Sequence, residues 1–256
     1  MTWAGGPFPA KAIASAPVSI RVAGIQPGYL PWLGYFDQMR RVDTFIVADE
    51  MQFSSSGWTH RNRVRGPRGA HWLTLPARPA HGQRICDVPL DPDSPWAHKH
   101  LTTLRHFYGR SSFAEAVLSS IEPTLQRPNA RMVDVSIPLI RFLADRLGIT
   151  TPIVVSSERG LEQHYDEEFA ADRGPTQRII AFMKALGANE LLEGASGRTY
   201  LDLALCQRHG IRVVFQDFAH PVYPQLDEPF VSHLAALDLL LSVGEDEARR
   251  IVRELP

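Results

Sequence analysis

The chain has 256 residues, of which 44% are hydrophobic and 21% are charged, and its formal net charge is −1. This composition is typical of a globular protein that buries roughly 75% of the surface of its unfolded chain. The charge argues against a non-specific nucleic-acid binder, because the affinity of such proteins comes largely from clustered Lys and Arg residues that neutralise phosphates.

The two cysteines, Cys86 and Cys206, lie far apart and without the spacing of metal ligands. They predict neither a disulfide framework nor a zinc site, so we expect no metal and a cytoplasmic location. Residues 1–18 are rich in Ala, Gly and Pro and lack an apolar core behind a basic start, which predicts a flexible leader. No stretch reaches the roughly 20 apolar residues that a membrane span needs.

The predicted elements begin with a buried strand over residues 19–25, a short helix over residues 31–42 and a second strand over residues 44–48. This order is a βαβ unit, and such units bind ligands at the carboxyl ends of their strands. Two segments, residues 58–64 and 71–75, flank a Gly-Pro turn and predict an antiparallel hairpin.

Three helices are predicted next. Strands and helices then alternate along the chain, which predicts a further part of the parallel sheet. The helices cover residues 96–108, 113–125 and 131–147, and the alternating segment covers residues 152–155, 175–186, 190–192, 199–209 and 212–215. The fold class is therefore α/β, a mostly parallel Rossmann-like sheet with flanking helices, an inserted β-hairpin and a helical segment. We expect one domain over residues 19–256, in which residues 96–148 could form a helical subdomain. Residues 156–174 form a long connection that is rich in acidic residues, which predicts a mobile loop over the site.

The junction at residues 22–36 is the most informative motif, because an apolar strand runs through a Gly/Pro loop directly into a helix. Free amide groups and the helix dipole favour an anion at such a place. The alternative is a tight turn whose aromatic residues belong to the core. The predicted ligand-binding residues of this junction are Gln26, Gly28, Tyr29 and Trp32.

Arg61 and Arg63 alternate with Asn62 on a predicted strand. Their guanidinium groups would therefore lie on one face about 7 Å apart, a spacing suited to a diphosphate or a carboxylate. The alternative is a solvated hairpin face with surface ion pairs, the usual environment of arginine. We predict that all three residues bind substrate.

A second junction occurs at residues 190–197, where a strand again runs into a Gly-rich loop before a helix, as in the first junction. Gly194, Ser196 and Gly197 could wrap a phosphate, although a loop of this kind is weak evidence by itself. Two such junctions in one parallel sheet would face the same crevice.

Three residues are the candidates for proton transfer. His220 precedes the segment that contains Tyr223 and Gln225, His100 lies on a predicted helix, and Asp49 ends the second strand. A neutral imidazole is the commonest general base, and a carboxylate at a strand end faces the ligand crevice. The alternatives are a structural hydrogen-bonding histidine and a carboxylate that caps the next turn. Tyr223 and Gln225 are predicted to bind substrate.

Several motifs occur in order along the chain, at residues 25–36, 49–53, 61–63, 71–76, 96–100, 192–197, 200–202 and 220–225, with Asp238 beyond them. In these motifs the chain resembles the WbqC-like protein family, bacterial proteins met in surface-polysaccharide and specialised-metabolite gene clusters. The resemblance covers about residues 21–244. It implies an enzyme-like cytoplasmic protein that works beside sugar-modifying or natural-product enzymes, and it implies no single reaction. A looser likeness to adenylate-forming nucleotidylyltransferases fails at residues 26–33, which lack the two histidines of that motif.

The leading hypothesis is a biosynthetic transferase that moves an acyl or aminoacyl group from an activated anionic donor to an amine or a sugar. No cofactor motif is identified, so the co-substrate would be a nucleotide or a carrier-linked thioester, and the partner an acyl or amino-acid carrier protein. The competing hypothesis is a non-catalytic ligand-binding or scaffolding partner of a biosynthetic complex.

Overall fold

A computed structural model describes residues 19–128 and 130–256, so the predicted leader over residues 1–18 lies outside the described residues. The strands, in chain order, are β1 (Arg21–Ile25), β2 (Thr44–Val47), β3 (Arg61–Gly66), β4 (Gly69–Thr74), β5 (Ile153–Val155), β6 (Glu190–Glu193) and β7 (Arg212–Phe215). Five of them form a parallel sheet in the order β5-β2-β1-β6-β7, and β3 and β4 form a separate antiparallel hairpin. The predicted α/β class is therefore confirmed.

The helices surround this sheet. They are α1 (Leu33–Arg40), α2 (Trp96–Tyr108), α3 (Ala114–Gln126), α4 (Val133–Arg146), α5 (Ser156–Arg159), α6 (Leu161–Glu168), α7 (Pro175–Ala185), α8 (Leu203–Arg208), α9 (Ala236–Val243) and α10 (Glu245–Arg253). The prediction of a loop over residues 156–174 is wrong, because most of this segment forms α5 and α6. Leu161 and Tyr165 of α6 are buried beside α7, and this packing stabilises a helix in a segment whose acidic composition favoured a loop.

The strand order creates a switch point between β1 and β6. From β1 the chain builds the sheet through β2 to β5 on one side, and β6 and β7 extend it on the other. The connections that leave β1 and β6 therefore diverge, and ligands of open α/β sheets bind in the crevice that this divergence leaves at the strand carboxyl ends.

The two faces of the sheet bury different partners. Side chains alternate along each strand, so Ala23 of β1 joins the core that contains α1, α9 and the helices α2 to α4. Val22 faces the opposite side, where it packs in a smaller core with Ile180 of α7 and Leu191 of β6. The crevice is thus bordered by a large core on one face of the sheet and by α7 on the other.

The hairpin is fixed beside the first junction by backbone hydrogen bonds. The amide of Ala235 donates to the carbonyl of Arg63 at 2.8 Å, and the amide of Tyr29 donates to the carbonyl of Thr59 at 2.9 Å. The hairpin therefore forms a wall at the carboxyl end of β1. Within residues 19–128 and 130–256, no helix has both the length and the apolar character that crossing a bilayer requires.

Candidate functional site

Two adjoining cavities lie at the carboxyl ends of β1 and β6. The larger, about 920 Å³, is the slot cavity, which lies between the sheet at Val22 and the helix α7 at Ile179. The smaller, about 710 Å³, is the hairpin cavity, which lies between the first junction and Arg63 of the hairpin. The residues that line both cavities are Ile25, Gln26, Trp32 and Ser196. The predicted crevice is therefore one composite site with two compartments.

Glu193 places a carboxyl group in the slot cavity. It ends β6, is only 9% exposed, and accepts a hydrogen bond from the Gly194 amide at 3.0 Å. Burial raises the pKa of Glu193, whereas its hydrogen bonds to Gly194 and to the Tyr200 hydroxyl oppose that rise. A carboxyl group of this kind can exchange a proton at a pH closer to neutrality than an exposed one.

Gly197 gives Glu193 the room that it occupies. A Cβ atom at residue 197 would lie 2.2 Å from Cγ of Glu193, a distance that real Cβ atoms do not show. The glycine-rich loop after β6 therefore positions the carboxyl group, and this role differs from the phosphate-wrapping role that the pattern predicts.

A network of amide groups lines the slot cavity near α1. The Gln216 amide nitrogen donates to the carbonyl of Gly34 at 3.0 Å and to the Asp37 carboxylate at 2.7 Å. Its amide oxygen accepts from the amide nitrogen of Gln38 at 2.9 Å. Both glutamine side chains line the cavity, so the network fixes the orientation of polar groups that a ligand would meet.

Three residues that line the hairpin cavity carry buried polar atoms that lack partners. Oη of Tyr35, Oγ1 of Thr59 and Nε of Arg63 have no hydrogen-bond partner among the residues that the structure describes. Tyr35 is 3% and Thr59 is 5% exposed, and all three residues line the cavity. Because buried polar groups are rarely left unpaired in folded proteins, this cluster suits a polar ligand that carries negative charge toward Arg63.

Two residues near the same cavity have left-handed backbone conformations, His233, which lines it, and Leu30, which directly precedes the lining residue Pro31. Leu30 has φ of 51° and His233 has φ of 59°, conformations that cost free energy in residues other than glycine. Both are held by β3, since Nδ2 of Asn62 donates to the carbonyl of Leu30 at 2.7 Å and Nη2 of Arg63 donates to that of His233 at 3.4 Å. The His233 ring stacks on Trp32 with centroids 5.3 Å apart. Strained backbone of this kind clusters at binding sites.

The predicted substrate-binding residues divide into two groups. Those that line one or both cavities are Gln26, Gly28, Trp32, Asn62, Arg63, Gly194 and Ser196. Tyr29 lies in the core instead, fully buried. The ring of Trp32 folds back over the first turn of α1, where a Cβ on Gly34 would lie 2.2 Å from it.

Arg61 and Arg63 do not lie at the same cavity. Arg61 donates to the carbonyls of Ser56 at 3.2 Å and Gly57 at 3.3 Å, and its Cζ lies 4.8 Å from the ring centroid of Trp72. It lines neither cavity, whereas Arg63 lines the hairpin cavity. The prediction that both guanidinium groups meet one ligand is therefore replaced by a single cavity-lining arginine.

Asp49 is held by hydrogen bonds in which it caps the start of α5. Its carboxylate accepts from Oγ of Ser156 at 2.8 Å and from both the amide at 3.0 Å and Oγ at 2.6 Å of Ser157. It is buried and lines neither cavity. The capping alternative therefore describes the contacts of this carboxylate.

His100 is part of the core. Its Nδ1 lies 2.9 Å from Oη of Tyr29, and its ring contacts those of Tyr29 and Trp96. Burial lowers the pKa of His100 to about 4, so the imidazole is neutral at pH 7. Because His100 lines neither cavity, the structural alternative describes this residue.

His220 lies behind the hairpin cavity. Its Nδ1 donates to the carbonyl of Pro221 at 2.8 Å, and burial lowers its pKa. The ring stands 5.0 Å from that of His233, which lines the cavity, whereas His220 itself does not. His220 therefore supports a cavity wall.

Tyr223 and Gln225 are tied to a buried carboxylate in the core. The Tyr223 hydroxyl donates to Asp238 at 2.8 Å and the Gln225 amide nitrogen donates to it at 3.0 Å. The hydroxyl of Tyr108 donates to the other carboxylate oxygen. These contacts fasten residues 220–225 to α9 and α2, and they leave both predicted substrate-binding residues outside the cavities.

The sequence patterns did not single out Glu193, Tyr35, Thr59 or His233. Only Glu193 carried a usable signal, because it is an acidic residue at the end of a predicted strand, as Asp49 is. The other three depend on contacts between the first junction, the hairpin and the segment before α9, which no local pattern encodes.

Comparison with known proteins identifies the family of this chain. The sequence profile of the WbqC-like protein family matches residues 26–250, a range that begins directly after β1 and contains the carboxyl end of β6. An uncharacterized protein of Mycobacterium tuberculosis is 30% identical over 230 residues, which cover 88% of this chain and 95% of that protein.

Proposed function

This chain belongs to the WbqC-like protein family, which indicates a biosynthetic role, and from that premise we propose that it is a transferase. The group transferred is an acyl or aminoacyl group, the donor is activated and anionic, and the acceptor is an amine or a sugar hydroxyl. The observation that carries the proposal is the pair of adjoining cavities at the switch point, with the buried carboxyl group of Glu193 in one and the guanidinium group of Arg63 in the other.

The charge around the hairpin supports an anionic donor. Between Glu50 and Asp87 the sequence contains six arginines and no acidic residue, although the whole chain has a net charge of −1. Arg78 and Arg84 form ion pairs with carboxylates just outside this range, and the other four arginines lie on the hairpin. A positive region of this kind attracts anions and raises their rate of association. It fits a nucleotide or a thioester on an acidic carrier protein, and Arg63 is the arginine of this region that lines a cavity.

The chemistry assigned to Glu193 is proton transfer. The acceptor nitrogen or oxygen attacks the donor carbonyl carbon and forms the new bond, while the carboxylate of Glu193 takes the proton that the acceptor loses. The leaving group departs with the electron pair of the broken bond, and the guanidinium group of Arg63 stabilises its negative charge. The raised pKa of Glu193 makes its carboxylate a stronger base than an exposed one.

Arg63 and Arg61 form a matched pair for the test of donor binding. We expect a nucleotide, a sugar nucleotide or an acyl thioester to raise the melting temperature of the wild-type protein, because a ligand that binds only the folded state stabilises it. Arg61→Ala should keep this shift and Arg63→Ala should lose most of it. A shift of equal size in both variants, or no shift with any of the three classes, would overturn the proposal.

A scaffolding function is the second candidate, and one observation favours it. The rings of Trp58 and Trp72 lie side by side with centroids 5.0 Å apart and are 53% and 42% exposed, an aromatic surface typical of partner binding. If scaffolding is the function, Trp72→Ser should abolish assembly with a carrier protein in gel filtration, while Glu193→Gln leaves both assembly and pathway output unchanged. A loss of pathway output with Glu193→Gln would exclude this candidate.

A further inference from the structure

The slot cavity has walls that differ from those of the hairpin cavity. Its floor is the face of the sheet that points away from the large core, and its roof is α7. The floor is formed by Val22, Gly24, Ile46 and Leu191, and the roof by Ile179, Phe182 and Met183. Every one of these residues is apolar, and all but Phe182 are aliphatic or lack a side chain.

The polar residues that line the slot cavity lie at or after the carboxyl ends of strands, on α1 or on the first turn of α7. They are Gln26, Gln38, Arg178, Glu193, Ser196, Tyr200, Gln216 and Asp217, of which Gln26 and Ser196 also line the hairpin cavity. In the deep part, the sheet amides and carbonyls are used in the pairing of β1 with β2 and β6. The cavity is therefore polar at its mouth and hydrocarbon-like in depth.

This distribution selects the chemistry of the occupant. A nucleobase or a sugar ring pushed into the deep part would bury polar atoms beside walls that offer them no hydrogen bond, which is unfavourable. An unbranched hydrocarbon chain has no such atoms, and its burial is favourable in proportion to its length. The walls thus fit a chain that carries a single polar group at the end near Glu193.

Gly24 leaves space in the floor of the slot near the carboxyl end of β1, because the pairing of Val22 with Leu191 puts Gly24 level with Glu193. A Cβ atom there would meet Cβ of Ile46 at 3.4 Å, an ordinary van der Waals distance, so an alanine fits, and a longer side chain would narrow the slot that Gly24 lines. The backbone does not require glycine at this position, because Gly24 is not among the residues with positive φ. Glycine within a strand often marks the close approach of a ligand.

We propose that the slot cavity binds the aliphatic chain of the transferred acyl group, and that Gly24 keeps the slot wide enough for the chain to enter beside Glu193. This inference rests on the proposed acyl transfer and adds to it the class of acyl group. The carbonyl end of the chain lies at the mouth beside Glu193, and the chain extends between β1 and α7.

The test uses neutral probes, the N-acetylcysteamine thioesters of butanoate, hexanoate, octanoate and decanoate, titrated calorimetrically into the full-length protein. Each added methylene should tighten binding by about fourfold until the chain fills the slot, after which the dissociation constant should level off. Gly24→Ala, Gly24→Val and Gly24→Leu should weaken the binding of every chain length by increasing factors and leave the position of this plateau unchanged. Ile179→Ala, which removes part of the roof, should move it to longer chains.

Two controls keep the outcome interpretable. Val222 is 80% exposed and lines neither cavity, so Val222→Ala should leave the chain-length profile unchanged. Valine is well suited to a strand, and a circular dichroism melt of each variant shows whether it is folded at the temperature of the titration. Affinity independent of chain length, or equal affinity of wild type and a folded Gly24→Leu variant for the octanoate thioester, would overturn the assignment.

The slot assignment and the proposed function can fail separately. If acyl thioesters bind with no dependence on chain length but their binding requires Arg63, the slot assignment fails and acyl transfer stands. If substitutions of Gly24 weaken thioester binding but Glu193→Gln retains full turnover, the slot assignment stands and the proposed proton transfer fails.

Discussion

The carboxyl ends of β2 and β6 carry acidic residues with very different surroundings. After β2, the carboxylate of Asp49 accepts hydrogen bonds from Ser156 and Ser157 and lies away from both cavities. At the end of β6, Glu193 lines the slot cavity, and its carboxylate accepts from the Gly194 amide. The same local pattern therefore gives a helix cap in one place and a candidate acid–base group in the other.

Position in the sheet explains this difference. β2 lies between β1 and β5, and α5 begins directly after β5, so its first residues close the end of β2. β6 borders the switch point, where the chain connections diverge and leave a crevice. An acidic residue at a strand end is thus a good functional candidate only when the strand order is known, and the predictions below test that conclusion.

The largest expected effect is that of Glu193→Gln on turnover. The substitution keeps the size of the side chain and removes its ability to take a proton, so we expect turnover to fall by about 10²- to 10⁴-fold with little change in thioester affinity. Steady-state kinetics with the acyl donor found in the binding panel measure the loss of turnover. Glu50→Gln is the control, because burial also raises the pKa of Glu50 but this residue lines neither cavity. Equal losses in the two variants would contradict the assignment.

Gly197→Ala should give the next largest effect. The new Cβ would displace Cγ of Glu193, and misplacement of a reacting group by about 1 Å can cost up to about 10²-fold in rate. Gly197 would then act only through Glu193, so the double variant Gly197→Ala/Glu193→Gln should be no slower than Glu193→Gln alone. Additive losses would show that Gly197 has a separate role.

Asp49→Ala should affect stability and leave the chemistry unchanged. It would leave the hydroxyl groups of Ser156 and Ser157 and the Ser157 amide without their acceptor, so we expect the free energy of unfolding to fall by about 1–3 kcal/mol. Turnover per folded molecule should stay within about twofold of wild type. Urea unfolding and active-site-normalised kinetics measure the two quantities, and a large loss of turnover with unchanged stability would restore Asp49 as a catalytic candidate.

The smallest expected effect concerns pH and stability. Because burial raises the pKa of Glu193 in the folded state, the folded protein binds that proton more tightly than the unfolded chain does. The stabilisation from this site is present below the unfolded pKa of Glu and is lost as pH rises through the folded pKa. The stability of Glu193→Gln relative to wild type should therefore increase over the same pH range in urea unfolding. A difference that does not change with pH would contradict the raised pKa.

Local patterns predicted much of the fold and less of the site. Apolar strands, the Gly-Pro turn and helical periodicity were sufficient for the βαβ unit, the hairpin and the α/β class, because each depends on neighbouring residues. The helices α5 and α6 were missed, since their stability comes from packing against distant elements. Local periodicity also does not determine the strand order that places β6 at the switch point.

The arginines illustrate the same limit within the site. Arg61 and Arg63 occupy the same face of β3, so alternation alone cannot distinguish them. The structure does, because Nη2 of Arg63 donates to the His233 carbonyl and Arg63 lines the hairpin cavity, whereas Arg61 contacts the loop at Ser56. The hydrogen bond from Arg63 to His233 joins residues 170 positions apart in the sequence. This contact distinguishes Arg63, a candidate ligand-binding residue, from Arg61, a structural one.

The most direct test of the central claim is a crystal structure of Glu193→Gln bound to the acyl thioester that the binding panel identifies. The account predicts the acyl chain in the slot cavity beside Gly24, the anionic part of the donor near Arg63, and the thioester carbonyl next to the substituted side chain at residue 193. A thioester bound at the Asp49 end of β2, or on the outer face of the hairpin with both cavities unused, would contradict it.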